Sequence, residues 1–134
     1  EPNAVMSVAG AFSGIGGVLI NKIFDDSIEK FKKINKVIVC PNRNIDKVRL
    51  YFNNNGFKIV NESIVFEDSK YYEIIVFEKG NQTLSDKELY FGPMLLNEKS
   101  NIFISKWKEY YNKILNIEHK IDEIKMLEGV LNES

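Results

Sequence analysis

Near its start the chain sets an apolar run of small residues, Ala4-Val5-Met6-Ser7-Val8-Ala9-Gly10-Ala11-Phe12, against the turn Ser13-Gly14-Ile15-Gly16-Gly17 and the segment Val18-Leu19-Ile20-Asn21-Lys22-Ile23-Phe24. The first run lacks polar alternation and has the length of a strand buried on both faces, as strands of parallel sheets are. Five residues with three glycines are too flexible for the interior of any element. The third segment puts Leu19, Ile20, Ile23 and Phe24 on one helical face. Strand, glycine turn and helix make half of a βαβ unit, which commits the chain to the α/β class.

The following segments extend that pattern. Asp25-Asp26-Ser27 offers an N-cap to a second helix over 28–34. Val37-Ile38-Val39-Cys40, stopped by Pro41, reads as a second parallel strand, with Pro41-Asn42-Arg43-Asn44 as the loop at its carboxyl end. A helix is expected over 45–54, packing through Val48, Leu50, Tyr51 and Phe52 and closed by Asn55-Gly56. From Phe57 the signal changes. Two β-rich runs, 58–67 and 71–78, are joined by Asp68-Ser69-Lys70, a hairpin signal. A loop over 80–85 and a short element over 86–91 end at Gly92-Pro93.

The region from Asn101 to Asn132 carries an apolar seam. Trp107, Ile114 and Ile121 are seven apart, as are Tyr110, Ile117, Ile124 and Leu131, with Glu128 as the one break. With no Pro or Gly before Gly129, it reads as one unbroken, coiled-coil-like helix. Its seam needs cover from the chain itself or from a second copy; the spacing does not choose between them, and with Asn116 the only weak point for a hairpin the expectation leans slightly toward pairing between chains. The expected organisation is 1–94 as the α/β part and 95–134 as the helical tail.

Composition narrows the chemistry. One Cys and one His exclude a disulfide framework and a multi-histidine or Cys-rich metal site, and a lone thiol suits a reducing compartment. No apolar stretch approaches the roughly 20 residues of a membrane helix. The start Glu1-Pro2-Asn3 has neither Met nor a basic segment, so it reads as cut from something longer and shows no signal peptide. The net charge of −1 hides an asymmetry: residues 18–60 hold nine basic and four acidic residues, residues 61–134 nine and fourteen. A basic front could face RNA phosphates, or these charges could be solvated helix faces.

Two places could carry function. Ser13, Gly14, Ile15, Gly16 and Gly17 lie where a buried strand meets a helix, the position at which open α/β sheets bind ligands. The glycines would admit a ligand to the backbone or serve close helix–strand packing. No Lys follows them, which excludes a phosphate-binding P-loop. Pro41 and Asn42, ending the adjacent strand, would lie beside that turn, with the Asn42 amide reading a base edge or making a local turn. Tyr71 or Tyr72 could stack on a base or pack in the sheet. His119 lies among Glu118, Lys120 and Asp122 on the tail, away from any triad, and Asp25-Asp26 read as helix caps. No catalytic residue stands out.

The order Ser13-Gly14-Ile15-Gly16-Gly17, a helix, Val37-Ile38-Val39-Cys40-Pro41-Asn42, then Asn55-Gly56-Phe57-Lys58-Ile59-Val60 with Glu62, Tyr71-Tyr72-Glu73-Ile74, Tyr90-Phe91-Gly92-Pro93 and Lys106-Trp107 resembles a family of bacterial S-adenosylmethionine-dependent tRNA methyltransferases that modify N1 of adenine 22. The resemblance covers nearly the whole chain. It implies the second half of a Rossmann-like methyltransferase domain followed by a helical coiled-coil region, with tRNA as substrate, a cytoplasmic location, and no metal or membrane partner. Family members turn through Ala-Gly-Met-Gly-Gly, where this chain has Ser13 and Ile15. Their cofactor loop and ribose-binding acid lie in the first half of the domain, so the isolated chain is expected to be inactive. Ser13 to Gly17, Pro41, Asn42 and Tyr72 would line the substrate and cofactor side. Two other readings are a non-catalytic RNA- or protein-binding module on the same scaffold and a structural oligomerisation protein built on the tail.

Overall fold

The computed structural model describes residues 16–27, 29 and 32–132, and the backbone of 5–7. β1 (Val5–Ser7) pairs in parallel with β2 (Lys36–Val39), and α1 (Gly17–Asp26) lies between them in sequence. After α2 (Ile45–Asn54) come the long strands β3 (Phe57–Glu67) and β4 (Lys70–Lys79). Their turn is tight because Asp68 and Ser69 both take positive φ, the mirror-image turn geometry that suits strand twist. β4 inserts antiparallel between β2 and β3, giving the order β1-β2-β4-β3. The parallel pair and antiparallel hairpin expected from sequence are both present.

One face of the sheet is covered by α1 and α2. Ile20 and Phe24 of the first helix and Val48 and Phe52 of the second bury against Val37, Val39, Phe57, Ile59, Ile75 and Phe77. Phe52 stacks on Phe77 with ring centroids 4.7 Å apart, and Phe24 meets Phe52 edge-on at 4.8 Å. Leu19 and Leu50, both expected to pack, are 48% and 45% exposed. The buried stripe of α2 instead contains Arg49. Asp25 and Asp26 are not caps. They end α1, where Asp26 pairs with Lys22 and Asp25 accepts the Tyr51 hydroxyl. Ser27 closes α1 rather than opening a second helix, and Glu29, Lys32 and Lys33 lie in turns. Ile28, Lys30 and Phe31 of that expected helix lie outside the described residues.

β3 carries a bulge between Ile59 and Asn61. Phe57 and Ile59 face the core before it, Glu62 and Ile64 after it. The extra residue therefore shifts the alternation by one and turns a carboxylate inward.

Beyond the sheet, α3 (Asp86–Phe91) opens with a capping box from Ser85 and Glu88 and meets α4 (Pro93–Glu98) at Gly92, whose φ of 90° favours glycine. The expected single helix over 101–132 is two helices, α5 (Asn101–Ile114) and α6 (Ile121–Asn132), separated by a 3-10 turn at Glu118–Lys120. Leu115 and Asn116 turn the chain, and Ile117 is extended. α6 folds back so that Leu127 and Val130 share a second core with Phe91, Leu95, Phe103, Trp107 and Ile114. The seam is thus covered within the chain, the first of the two expected alternatives, and the self-association toward which the expectation leaned has no support in this arrangement. Ile121 belongs to the heptad pattern and yet is 56% exposed. No helix among the described residues is long and apolar enough to cross a membrane.

Candidate functional site

β1 and β2 run in parallel, so their carboxyl ends lie on one edge of the sheet. Of the turn after β1, Ser13, Gly14 and Ile15 lie outside the described residues, while Gly16 and Gly17 are buried. The Gly17 N–H donates to the Arg43 carbonyl at 2.7 Å. A Cβ on Gly17 would stand 2.5 Å from the Asn44 carbonyl oxygen and 2.6 Å from Val48 Cγ2, whereas one on Gly16 would meet only the Arg43 side chain. The end of the glycine turn and the loop after β2 therefore touch, as the parallel pair requires. At Gly17 the missing side chain serves this close approach.

Pro41 is buried behind the loop, and Asn42 is exposed at the rim of a cavity of about 530 Å³. Loop residues 42–44 and the first residues of α2, Ile45 and Asp46, form one side of it, with Glu73, Tyr90, Lys106, Trp107, Tyr110 and Glu123 on the others. Tyr72 is half-buried one residue before Glu73, hence on the opposite face of the sheet, and is not among the described residues lining the cavity. Tyr71 donates to Glu109 of α5 and packs on Phe66. His119 is exposed.

Under the cavity is a charged cluster that sequence reasoning did not assemble. Arg49 is fully buried. Its Nε donates to Glu62 Oε2 and its Nη2 to Glu73 Oε1, both at 2.8 Å, while Nη1 reaches the Leu89 carbonyl at 3.1 Å. The other Glu62 oxygen accepts the Met94 N–H at 2.8 Å and the Leu95 N–H at 3.3 Å, at the start of α4. Lys106 of α5 pairs with Glu73 Oε2. Burial pushes the Glu62 carboxyl above its ordinary range, opposed by the Arg49 charge and these hydrogen bonds. A Cβ on Gly92 would stand 2.5 Å from Arg49 Nη2 and 2.6 Å from Glu62 Oε2, so the α3–α4 corner closes on the cluster only with glycine there. A usable sequence signal existed: Ile45, Val48, Arg49 and Phe52 follow helical spacing, so a cation stands in an apolar stripe.

The cavity wall is aromatic. Trp107 sits among Tyr90, Phe91 and Tyr110 with centroids 5.0–5.8 Å away, and Lys106 Nζ lies 4.6 Å from its ring centroid. Its Nε1 donor is buried without a hydrogen-bond partner among the described residues. Glu123 Oε2 accepts the Tyr90 hydroxyl at 2.6 Å and the Tyr110 hydroxyl at 3.0 Å, tying α6 to α3 and α5. Burial, then the Glu123 carboxylate, pushes the Tyr90 phenol far up, so it stays a donor. Burial also raises the Cys40 thiol, helped by Glu73, which keeps it protonated and a poor nucleophile.

A sheet ordered β1-β2-β4-β3, with its last strand inserted antiparallel and a cavity at its carboxyl edge, defines the second half of a Rossmann-like methyltransferase domain. Residues 3–132 match the family model for tRNA (adenine(22)-N(1))-methyltransferase, and the chain belongs to that family. The tRNA (adenine(22)-N(1))-methyltransferase of Bacillus subtilis is 26% identical over 117 residues, covering 83% of this chain and 49% of the relative. Sp1610 of Streptococcus pneumoniae, described as a candidate tRNA (m1A22) methyltransferase and solved in complex with S-adenosyl-L-methionine, superposes with a TM-score of 0.88 at 35% identity, over 96% of this chain and 60% of that one. A Streptococcus agalactiae protein of the NADB-Rossmann superfamily gives 0.82 at 30% identity, over 97% and 60%. The chain spans about half the length of the curated relatives it matches.

Proposed function

We propose that this chain is the acceptor-side half of an S-adenosylmethionine-dependent enzyme that methylates N1 of adenine 22 in tRNA, in the cytoplasm. Family membership over residues 3–132 supports this reading. The observation that carries it to particular residues is the Gly17–Arg43 bond, which fixes the glycine turn against the Asn42 loop at the rim of the cavity.

The lining of the cavity sets the Asn42 and Asn44 amides and the charged Arg43, Asp46, Glu73, Lys106 and Glu123 beside three aromatic rings, which suits a planar base with hydrogen-bonding edges. At the described end of the turn, the space beside both glycines is taken by Arg43, Asn44 and Val48. The fit to S-adenosylmethionine is therefore that of a neighbouring wall: Asn42 and the turn at Ser13 to Gly17 would border the methyl donor. When bound, that cofactor supplies an electrophilic methyl group on a sulfonium sulfur. Adenine N1 has an in-plane lone pair and carries no hydrogen, so no general base is needed to expose it. The task of this chain is then to hold the base, orient N1 and exclude water, after the base has left its RNA stack.

The test is methylation of tRNA by the full-length parent, with adenine or guanine at position 22. N1-methyladenine at position 22 of the first transcript alone is expected. Methylation elsewhere, or none, overturns the reading.

A further inference from the structure

The helical hairpin supplies one side of the cavity, and that side has the chemistry of a base-binding wall. Trp107 and Tyr110 come from α5, Tyr90 from α3, and the Asn42–Asn44 loop with the start of α2 stands across from them. Trp107 is only 7% exposed, and its Nε1, which can only donate, has no acceptor among the described residues. Lys106 has three N–H donors and gives one to Glu73, which Arg49 holds in place from the other side. The volume, about 530 Å³, is in the range of small-ligand sites.

Resting on the function proposed above, we infer that this cavity is a nucleoside subsite shared between the α/β body and the hairpin, taking a purine ring against Trp107 and Tyr110 with Asn42 at the base edge. Lys106 is its charged positioning group. Ring nitrogens accept, as the Lys106 ammonium requires, and the Asn42 amide can both give and accept, as an exocyclic amine beside a ring nitrogen requires. Stacking on aromatic side chains is the general means by which unpaired bases are held.

Trp107 is the sole tryptophan in the sequence, so its fluorescence reports on this wall. Adenosine 5′-monophosphate titrated into the 134-residue chain should quench it saturably in the millimolar range. Cytidine 5′-monophosphate, with its smaller ring, should bind at least threefold more weakly. Asn42→Ala lies on an exposed loop and leaves the folded spectrum by circular dichroism unchanged. It should weaken adenosine monophosphate binding at least threefold, as should Lys106→Met where that variant keeps the same spectrum. Quenching that does not saturate, that is equal for both nucleotides, or that ignores Asn42→Ala overturns the subsite. If the parent methylates adenine 22 while Trp107 stays silent, the subsite fails and the function stands. Saturable, purine-selective binding without methylation supports the subsite and overturns the function.

Discussion

Arg49 occupies a helix position where spacing asks for an apolar side chain, and its burial is tolerable only because Glu62 and Glu73 meet it. Removing one member of such a group leaves an uncompensated charge, so Arg49→Met should cost about 3–5 kcal/mol in urea unfolding at neutral pH. The loss should shrink in acid. Burial already holds the Glu62 carboxyl above its ordinary range, and without Arg49 it rises further. A raised folded value favours the folded state below the unfolded value, and that benefit fades as pH climbs through the folded one. The variant therefore recovers relative to wild type as pH falls. The two buried glycines separate cleanly. Gly17→Ala drives a Cβ into the Asn44 backbone and should cost roughly 1–3 kcal/mol, whereas Gly16→Ala displaces only the Arg43 side chain and should cost less than about 1 kcal/mol. Equal losses would place the close approach elsewhere. The glycines were legible as a turn beside the Asn42 loop, but five letters did not say which of them makes the close approach.

At the scale of elements, the strands and α1, α2 could be read because apolar runs and punctuation agree there. The hairpin was misread because heptad spacing continues through its own break: Ile114, Ile117 and Ile121 keep the seven- and four-residue steps although Leu115 to Lys120 leave the helix. Asn116, a turn-former, was the one local sign. Trp107, Tyr110, Ile114, Ile117, Ile124 and Leu131 of the heptad set do pack in this hairpin, joined by Leu127 and Val130 from outside it, and only Ile121 is left out. Glu123 fastens this hairpin. Burial pushes its carboxyl up, but hydrogen bonds from Tyr90, Lys120 and Tyr110 outweigh that and hold it below its ordinary value. The stability this brings is present above the unfolded carboxylate value of 4.5 and is lost as pH falls through the lower folded one. Wild type should thus melt above Glu123→Gln at pH 7, with the gap closing toward about pH 3. A gap that persists in acid would mean that shape, not charge, makes the contact.

For the whole molecule, two cores meet across the Arg49 cluster, one between the sheet and α1 and α2, the other joining the hairpin to α3, α4 and Ile64 of β3. Because the hairpin covers its own seam, sedimentation should give the mass of a single chain. Ile124→Asp should lower the melting temperature rather than the mass. A dimer in wild type that this substitution dissolves would restore the paired-helix reading. The overall order of parts was legible, including the meeting of glycine turn and Asn42 loop, because parallel strands leave little choice. The charged cluster was not, because it depends on which way Glu62 points. A strand spells its two faces in alternate letters, and the bulge before Asn61 is a silent beat that swaps odd for even. Deleting Val60 would remove the beat and still deliver Glu62 and Ile64 inward, because Ile59, Asn61 and Glu62 would then alternate without a pause. Deleting Asn61 as well would turn Glu62 and Ile64 outward and Ser63 inward. The shorter cut should keep a cooperative melt. The longer one should lose it, since Arg49 would face a strand written in the wrong phase.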